Sequence, residues 1–394
     1  MPVVNTNTDY GFYVDEDDIM YDVESESEPQ GKYYDNWYLP IRVGQFIPIG
    51  HGFTIVHKLG WEGFSTVWLA HDSTAKRMVA LKISSLGARG THELQINQEI
   101  VRRAAHDISD YLVVFEAAFE FIDPMGVPRV LLVSPWRGPS LDTACFSLPV
   151  AFRMRGVGNL LEGLKRLHAA DINNGSVMWD IAPGMDQWSK DKIYRHVGRP
   201  RKVQLSEDQG GGDLVEPVQF PNDLLRNTCR FGDFGHSILS GTVLENPCQR
   251  PLLFCAPERF HGVQPSDASD MWSFMCIVFE LCTRVEIVYS DGLTFVHRLV
   301  GMLGPFPAHW RGHFVSAGAG QDWWYDHTGE MPRTQGDLIT LEERLDYLRP
   351  EISREERELA LQVFRKGFEY LPEKRLTAAQ LSEEPSFNAL LAYY

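Results

Sequence analysis

The sequence predicts an α+β protein of two lobes: a small antiparallel sheet carrying one helix, then a larger, mainly helical unit. Three observations predict it. Between residues 53 and 134 the chain runs in short β-branched stretches split by glycine and polar turns, with one helical stretch among them. After Gly138 apolar residues recur at helical spacing. A length of 394 residues is enough to bury more than one core.

Residues 1–35 read as an acidic, disordered tail. Asp15-Glu16-Asp17-Asp18 and Glu24-Ser25-Glu26-Ser27-Glu28 set like charges together with few core formers. Residues 1–31 hold nine carboxylates and no Lys or Arg, more than half of the net charge of −16. Residues 36–137 are the first lobe. Residues 53–59, 65–70 and 78–83 are three strands of a meander, and residues 91–105 are a helix with Leu94, Ile96, Ile100, Val101 and Ala104 at apolar positions. Strands follow at 112–121 and 129–134.

Residues 138–394 are the second lobe. Residues 157–168 carry apolar positions at helical spacing. Residues 183–226 are polar and include Gly210-Gly211-Gly212; this is too long for a connection and reads as an insertion. From residue 267 onward the chain is mainly helical, and residues 271–282 form a buried core helix that carries Glu280.

Composition narrows the function classes. No apolar run reaches the roughly 18–20 residues of a membrane helix, so no membrane partner is expected. The first residues lack a basic region and an apolar core, so an intracellular protein of the cytoplasm or nucleus is expected. The six cysteines show no Cys-x-x-Cys spacing, which argues against a zinc site or a disulfide framework. An acidic chain is poorly suited to direct nucleic-acid binding and better suited to a basic protein partner.

An ordered set of motifs carries the chemistry. Leu59-Gly60-Trp61-Glu62-Gly63-Phe64-Ser65-Thr66-Val67 lies between two strands, where a hairpin of small residues lays backbone N–H groups over phosphates. Val79-Ala80-Leu81-Lys82 puts a lysine inside an apolar strand, which requires an anionic partner. Glu99 on the following helix is the expected carboxylate, with Glu93 as the alternative. Asp233-Phe234-Gly235 offers a Mg²⁺ ligand at a strand end, 23 residues before Ala256-Pro257-Glu258. Ser269-Asp270-Met271-Trp272-Ser273 then opens an apolar helix, and Pro372-Glu373-Lys374-Arg375 supplies a late arginine.

This ordered set resembles the protein kinase family, and so the bilobal protein kinase fold. It resembles most closely the SR-protein kinases of fungal type, through Tyr38-Leu39-Pro40-Ile41-Arg42-Val43-Gly44, His57-Lys58-Leu59-Gly60-Trp61, Phe64 to Asp72, Gly138-Pro139-Ser140-Leu141 and Leu303-Gly304-Pro305-Phe306-Pro307. The resemblance covers residues 36–385. It implies ATP and Mg²⁺ as cofactors and serines of basic, Arg/Ser-rich proteins as substrates. It implies that residues 59–67, Ala80, Lys82 and Glu99 surround the nucleotide, that Lys82 and Asp233 are catalytic, and that Asp233 and Ser176 face metal. It further implies that Glu258 pairs with Arg375 and that Asp270 holds the catalytic-loop backbone.

The chain departs from that family at three places. The family's catalytic loop reads His-Gly-Asp-x-x-x-x-Asn. Here Ser176 occupies the Asn position, only eight residues after His168, five fewer than the family pattern. The simplest placement of the gap, between Ile172 and Asn173, removes the base segment. The alternative keeps Asp171 as the base. Glu62 stands where the family has its second loop glycine, and a carboxylate there would repel phosphates. Two functions follow as expectations: a serine/threonine kinase of weak or lost activity, or a pseudokinase that binds or scaffolds.

Overall fold

The computed structural model describes the chain except residues 1–7, 15–19, 85–86, 104–107, 142–146, 171, 174–175, 249–251, 289–291, 316–321 and 329–338. The N-terminal segment holds β1 (Phe12–Tyr13), α1 (Met20–Glu26) and α2 (Gly31–Tyr34). The first lobe follows as β2 (Phe46–Ile47), β3 (Phe53–Trp61), β4 (Ser65–Asp72), β5 (Arg77–Ser84), α3 (Gly87–Arg103), β6 (Ala117–Ile122) and β7 (Pro128–Pro135). Its six strands make one sheet in the order β2-β3-β4-β5-β7-β6, each pair antiparallel.

The two-residue period of a strand sorts its side chains. Val79, Leu81 and Ile83 of β5 join Ile55, Trp68, Leu131 and Val133 in one core. Ala80 and Lys82 turn to the opposite face, toward the second lobe. The expected lysine in an apolar strand is therefore a cleft-facing residue on a half-buried sheet.

The second lobe holds α4 (Val150–Arg155), α5 (Val157–Ala169), β8 (Ile172–Asn173), β9 (Ser176–Ile181), α6 (Lys190–Val197), β10 (Arg201–Gln204), β11 (Asp213–Val215), β12 (Leu225–Gly232) and β13 (Ile238–Leu239). The helices α7 (Asp267–Thr283), α8 (Gly292–Leu303), α9 (Leu341–Leu348), α10 (Arg354–Gly367), α11 (Ala378–Glu383) and α12 (Pro385–Ala392) complete it. Trp272, Phe274, Met275, Phe279 and Leu281 bury α7 nearly all round, as its continuous apolar sequence requires. Glu258 and Arg375 meet inside this lobe through two parallel hydrogen bonds of 2.9 and 3.0 Å, both side chains buried.

The acidic segment departs from the solvated tail expected of it. Val23 is buried, and with Tyr33, Tyr38, Leu205 and Leu214 it forms a small separate core. β1 pairs in parallel with β10, which pairs antiparallel with β11. The insertion and the N-terminal segment thus build one three-stranded sheet together. The physical reason is charge compensation across a long sequence distance. Glu28 is buried and ion-paired with the buried Lys58 on β3, and Tyr33 donates its hydroxyl hydrogen to the same carboxylate. Asp213 accepts from Tyr13, Val43 N–H and Lys202. The run Asp15–Asp18 lies outside the described residues.

Candidate ligand-binding cleft

A cleft of about 450 Å³ opens between the two lobes. Leu59, Val67 and Ala80 line it from the sheet, Val113 and Phe115 stand at the back, and Met178 lies on the floor. The connection from β7, Ser134 to Gly138, forms one rim. This half of the cleft is apolar, and its size and lining suit a planar heterocycle.

The other half is polar and crowded. Lys82 Nζ lies 2.5 Å from Asp233 Oδ1, 3.0 Å from Glu93 Oε2 and 3.0 Å from Glu62 Oε2. Ser176 Oγ lies 3.5 Å from Asp233 Oδ2. Burial alone would lower Lys82, but three carboxylates outweigh it and hold the ammonium well above its ordinary pKa. Desolvation would raise Asp233, yet the neighbouring Lys82 charge and the hydrogen bond Lys82 donates hold it well below the carboxylate range. Glu62 and Glu93 move the other way, to about 7, through desolvation and repulsion from Asp233.

Asp233 follows β12 directly with φ 51°, in the left-handed region that Asp tolerates better than most residues. The turn is fixed by Phe234, fully buried in the second lobe's core, and it aims the carboxylate at Lys82.

Glu93, the alternative, is the helical partner of Lys82, and Glu99 is not. Six residues on a helix are roughly 240° of rotation apart, so the two carboxylates face different sides. Glu93 is buried. Glu99 pairs with Arg102 and Arg103 near the surface, and their hydrogen bonds hold it down at about 2.

The glycine-containing hairpin is divided. Leu59, Gly60, Trp61, Glu62 and Val67 line the cleft. Thr66 is buried and accepts from Trp68 Nε1, the Phe64 ring packs on Trp37 at 5.4 Å, and Gly63 offers its carbonyl to Lys32. Ser65 stays near the site by donating its hydroxyl hydrogen to Glu62 Oε2 at 3.1 Å.

The loop that should face Asp233 is short. β8 pairs with β13, and β9 pairs with β12. In the sequence β8 ends at Asn173 and β9 begins at Ser176, and residues 174–175 lie outside the described residues. Asp171, the alternative base, lies outside the described residues. Among the described residues the cleft's carboxylates are Glu26, Glu62, Glu93 and Asp233. Asp270 stands 3.4 Å from His168 at the end of α5.

Sequence reasoning missed Val113, Phe115 and Met178, ordinary apolar residues whose role comes only from facing the gap between lobes. It also missed residues 217–220 of the insertion, which reach the cleft mouth. Val218 N–H donates to Lys58 O at 2.9 Å, and the Phe220 ring lies 6.0 Å from that of Trp136.

The model of the protein tyrosine and serine/threonine kinase family matches residues 151–295. A serine/threonine-protein kinase SRPK of Physarum polycephalum is 25% identical over 400 residues, covering 92% of this chain and 91% of that protein. SRSF protein kinase 3 of Mus musculus is 40% identical over 60 residues, 15% of this chain and 10% of that protein. Among solved structures, the crystal structure of a kinase domain superposes with a TM-score of 0.62 at 14% identity, covering 89% of this chain and 98% of that one. At that identity the likeness concerns the fold.

Proposed function

We propose, from the premise that this chain belongs to the protein kinase family and is of the SR-protein kinase type, that it works as a pseudokinase: a binding module without competent phosphoryl transfer. One observation carries this reading. From His168 to Ser176 the chain is five residues shorter than the family's catalytic loop, and the shortfall falls on the segment that in the family carries the base. Kinase catalysis rests on positioning and electrostatic stabilisation, and a missing loop removes the backbone that does the positioning.

The cofactors implied by the family fit this cleft in part. Its apolar half fits a purine. Its polar half, as arranged, does not fit a triphosphate with Mg²⁺, because Glu62 already holds Lys82 and Ser176 is a single hydroxyl beside Asp233. The partner we propose is a basic protein, in keeping with the net charge of −16 and with the Arg/Ser-rich substrates of SR-protein kinases.

A second reading, slow serine/threonine phosphorylation, is favoured by the joined triad of Lys82, Glu93 and Asp233. Transfer of labelled γ-phosphate to an Arg/Ser peptide, with Mg²⁺ present, separates the two. A rate no higher than that of Asp233→Asn is expected. Robust transfer by the unmodified chain that Asp233→Asn abolishes would establish the second reading instead.

A further inference from the structure

Glu62 is held in place by more than its own side chain. Its N–H donates to Ser65 O at 2.8 Å, and its carbonyl accepts from Tyr38 OH at 2.6 Å. The next carbonyl, of Gly63, accepts from Lys32 Nζ at 2.9 Å. Trp61 Nε1 reaches Glu26 O at 3.4 Å, and Lys58 is ion-paired with Glu28. Contacts from residues 26–38 therefore run along the hairpin and hold it against the cleft. The side chain of Glu62 points inward. Its carboxylate contacts Lys82 and accepts from Ser65, while 40% of its side chain stays open at the cleft mouth.

A phosphate entering the cleft would meet Lys82 already surrounded by Glu62, Glu93 and Asp233. Three carboxylates around one ammonium leave an excess of negative charge where a polyphosphate would lie, and like charges at such distances repel strongly. The apolar half, from Leu59 and Val67 to Met178, is untouched by this crowding.

We propose that Glu62 is a built-in anion occupying the lysine of the phosphate site, so that the cleft takes an uncharged nucleoside-class ligand in preference to a nucleoside triphosphate. This rests on reading the cleft as a nucleotide-type pocket. Ligand class is set by the hairpin, and the charged tail of a triphosphate is excluded by a side chain that the N-terminal segment clamps.

Calorimetric titration of the full chain, Glu62→Gln and Glu62→Gly with adenosine and with ATP, each with and without Mg²⁺, tests it. For the unmodified chain, ATP is expected to bind at least about tenfold more weakly than adenosine. Both variants should strengthen ATP binding by about tenfold and leave adenosine within about threefold. Tighter binding of ATP than adenosine by the unmodified chain, unchanged in both variants, overturns the inference while keeping the nucleotide pocket. Failure of all folded proteins to bind either ligand, with folding checked by thermal melting, overturns the pocket reading itself and the inference with it.

Discussion

Lys82 and the carboxylates around it set the electrostatics of the cleft, and two substitutions separate the members of that group from their neighbours. Lys82→Met leaves three carboxylates facing one another without their cation. Removing one partner of a buried ion pair costs about 3–5 kcal/mol, and proton uptake by Glu62 and Glu93 will soften the loss toward the lower figure. Glu99→Gln alters a surface cluster with Arg102 and Arg103 and should leave stability nearly unchanged. Urea unfolding at pH 7.5 checks both; equal losses would mean that Glu99 supports the cleft after all. Lys82 was legible in the sequence because an ammonium in an apolar strand demands a partner. The choice between Glu93 and Glu99 was not, because both lie on one predicted helix and its rotational phase is fixed only by packing on β5. Glu62 was legible as an anomaly, though its inward aim depends on Tyr38 and Ser65.

Among the elements, the N-terminal segment is the one whose role differs most from its composition. A charge run with few apolar residues looks like a solvated tail, yet Glu28 is buried against Lys58 with Tyr33 beside it. Lys58 also lies 4.9 Å from the Trp68 ring, and burial lowers its pKa despite the Glu28 charge. Glu28→Ala should therefore strand a buried ammonium and cost about 3–5 kcal/mol. Limited proteolysis is the sharper readout: cleavage within the first 45 residues should become fast while the second lobe stays resistant. An unchanged cleavage pattern would mean that the clamp on the hairpin does not depend on this pair. The sheet of β1, β10 and β11 was invisible for a related reason. Its first strand is two residues long and pairs with residues 201–202, so neither periodicity nor turn chemistry marks it. The short passage from β8 to β9 was readable, because a missing loop shows as a count between His168 and Ser176.

At the scale of the whole molecule, each lobe carries a buried neutral histidine, and together they tie stability to pH. His57 on β3 accepts the N–H of Lys58 on Nδ1 at 2.8 Å, and desolvation pushes its pKa down to about 4. His261 in the second lobe lies between Pro257 O at 2.8 Å and Tyr325 OH at 2.7 Å, and desolvation lowers it likewise to about 4. In the unfolded chain both take up protons below about 6.5. Between pH 6.5 and 4 the unfolded state therefore binds more protons, and stability falls as pH falls through that window. The loss per histidine is about 2 kcal/mol between pH 7.5 and 5, approaching about 3 kcal/mol at pH 4. Glu62 and Glu93 act in the opposite sense, since their raised pKa values let the folded state bind protons first as pH drops below about 7. The histidine contribution is thus read as a difference in slope. The double variant His57→Asn, His261→Gln should have a flatter unfolding free energy from pH 7.5 to 5 than the unmodified chain, whatever its absolute stability. Parallel profiles for the two proteins would show that these imidazoles do not govern the acid response, and that the carboxylates of the cleft and the surface do.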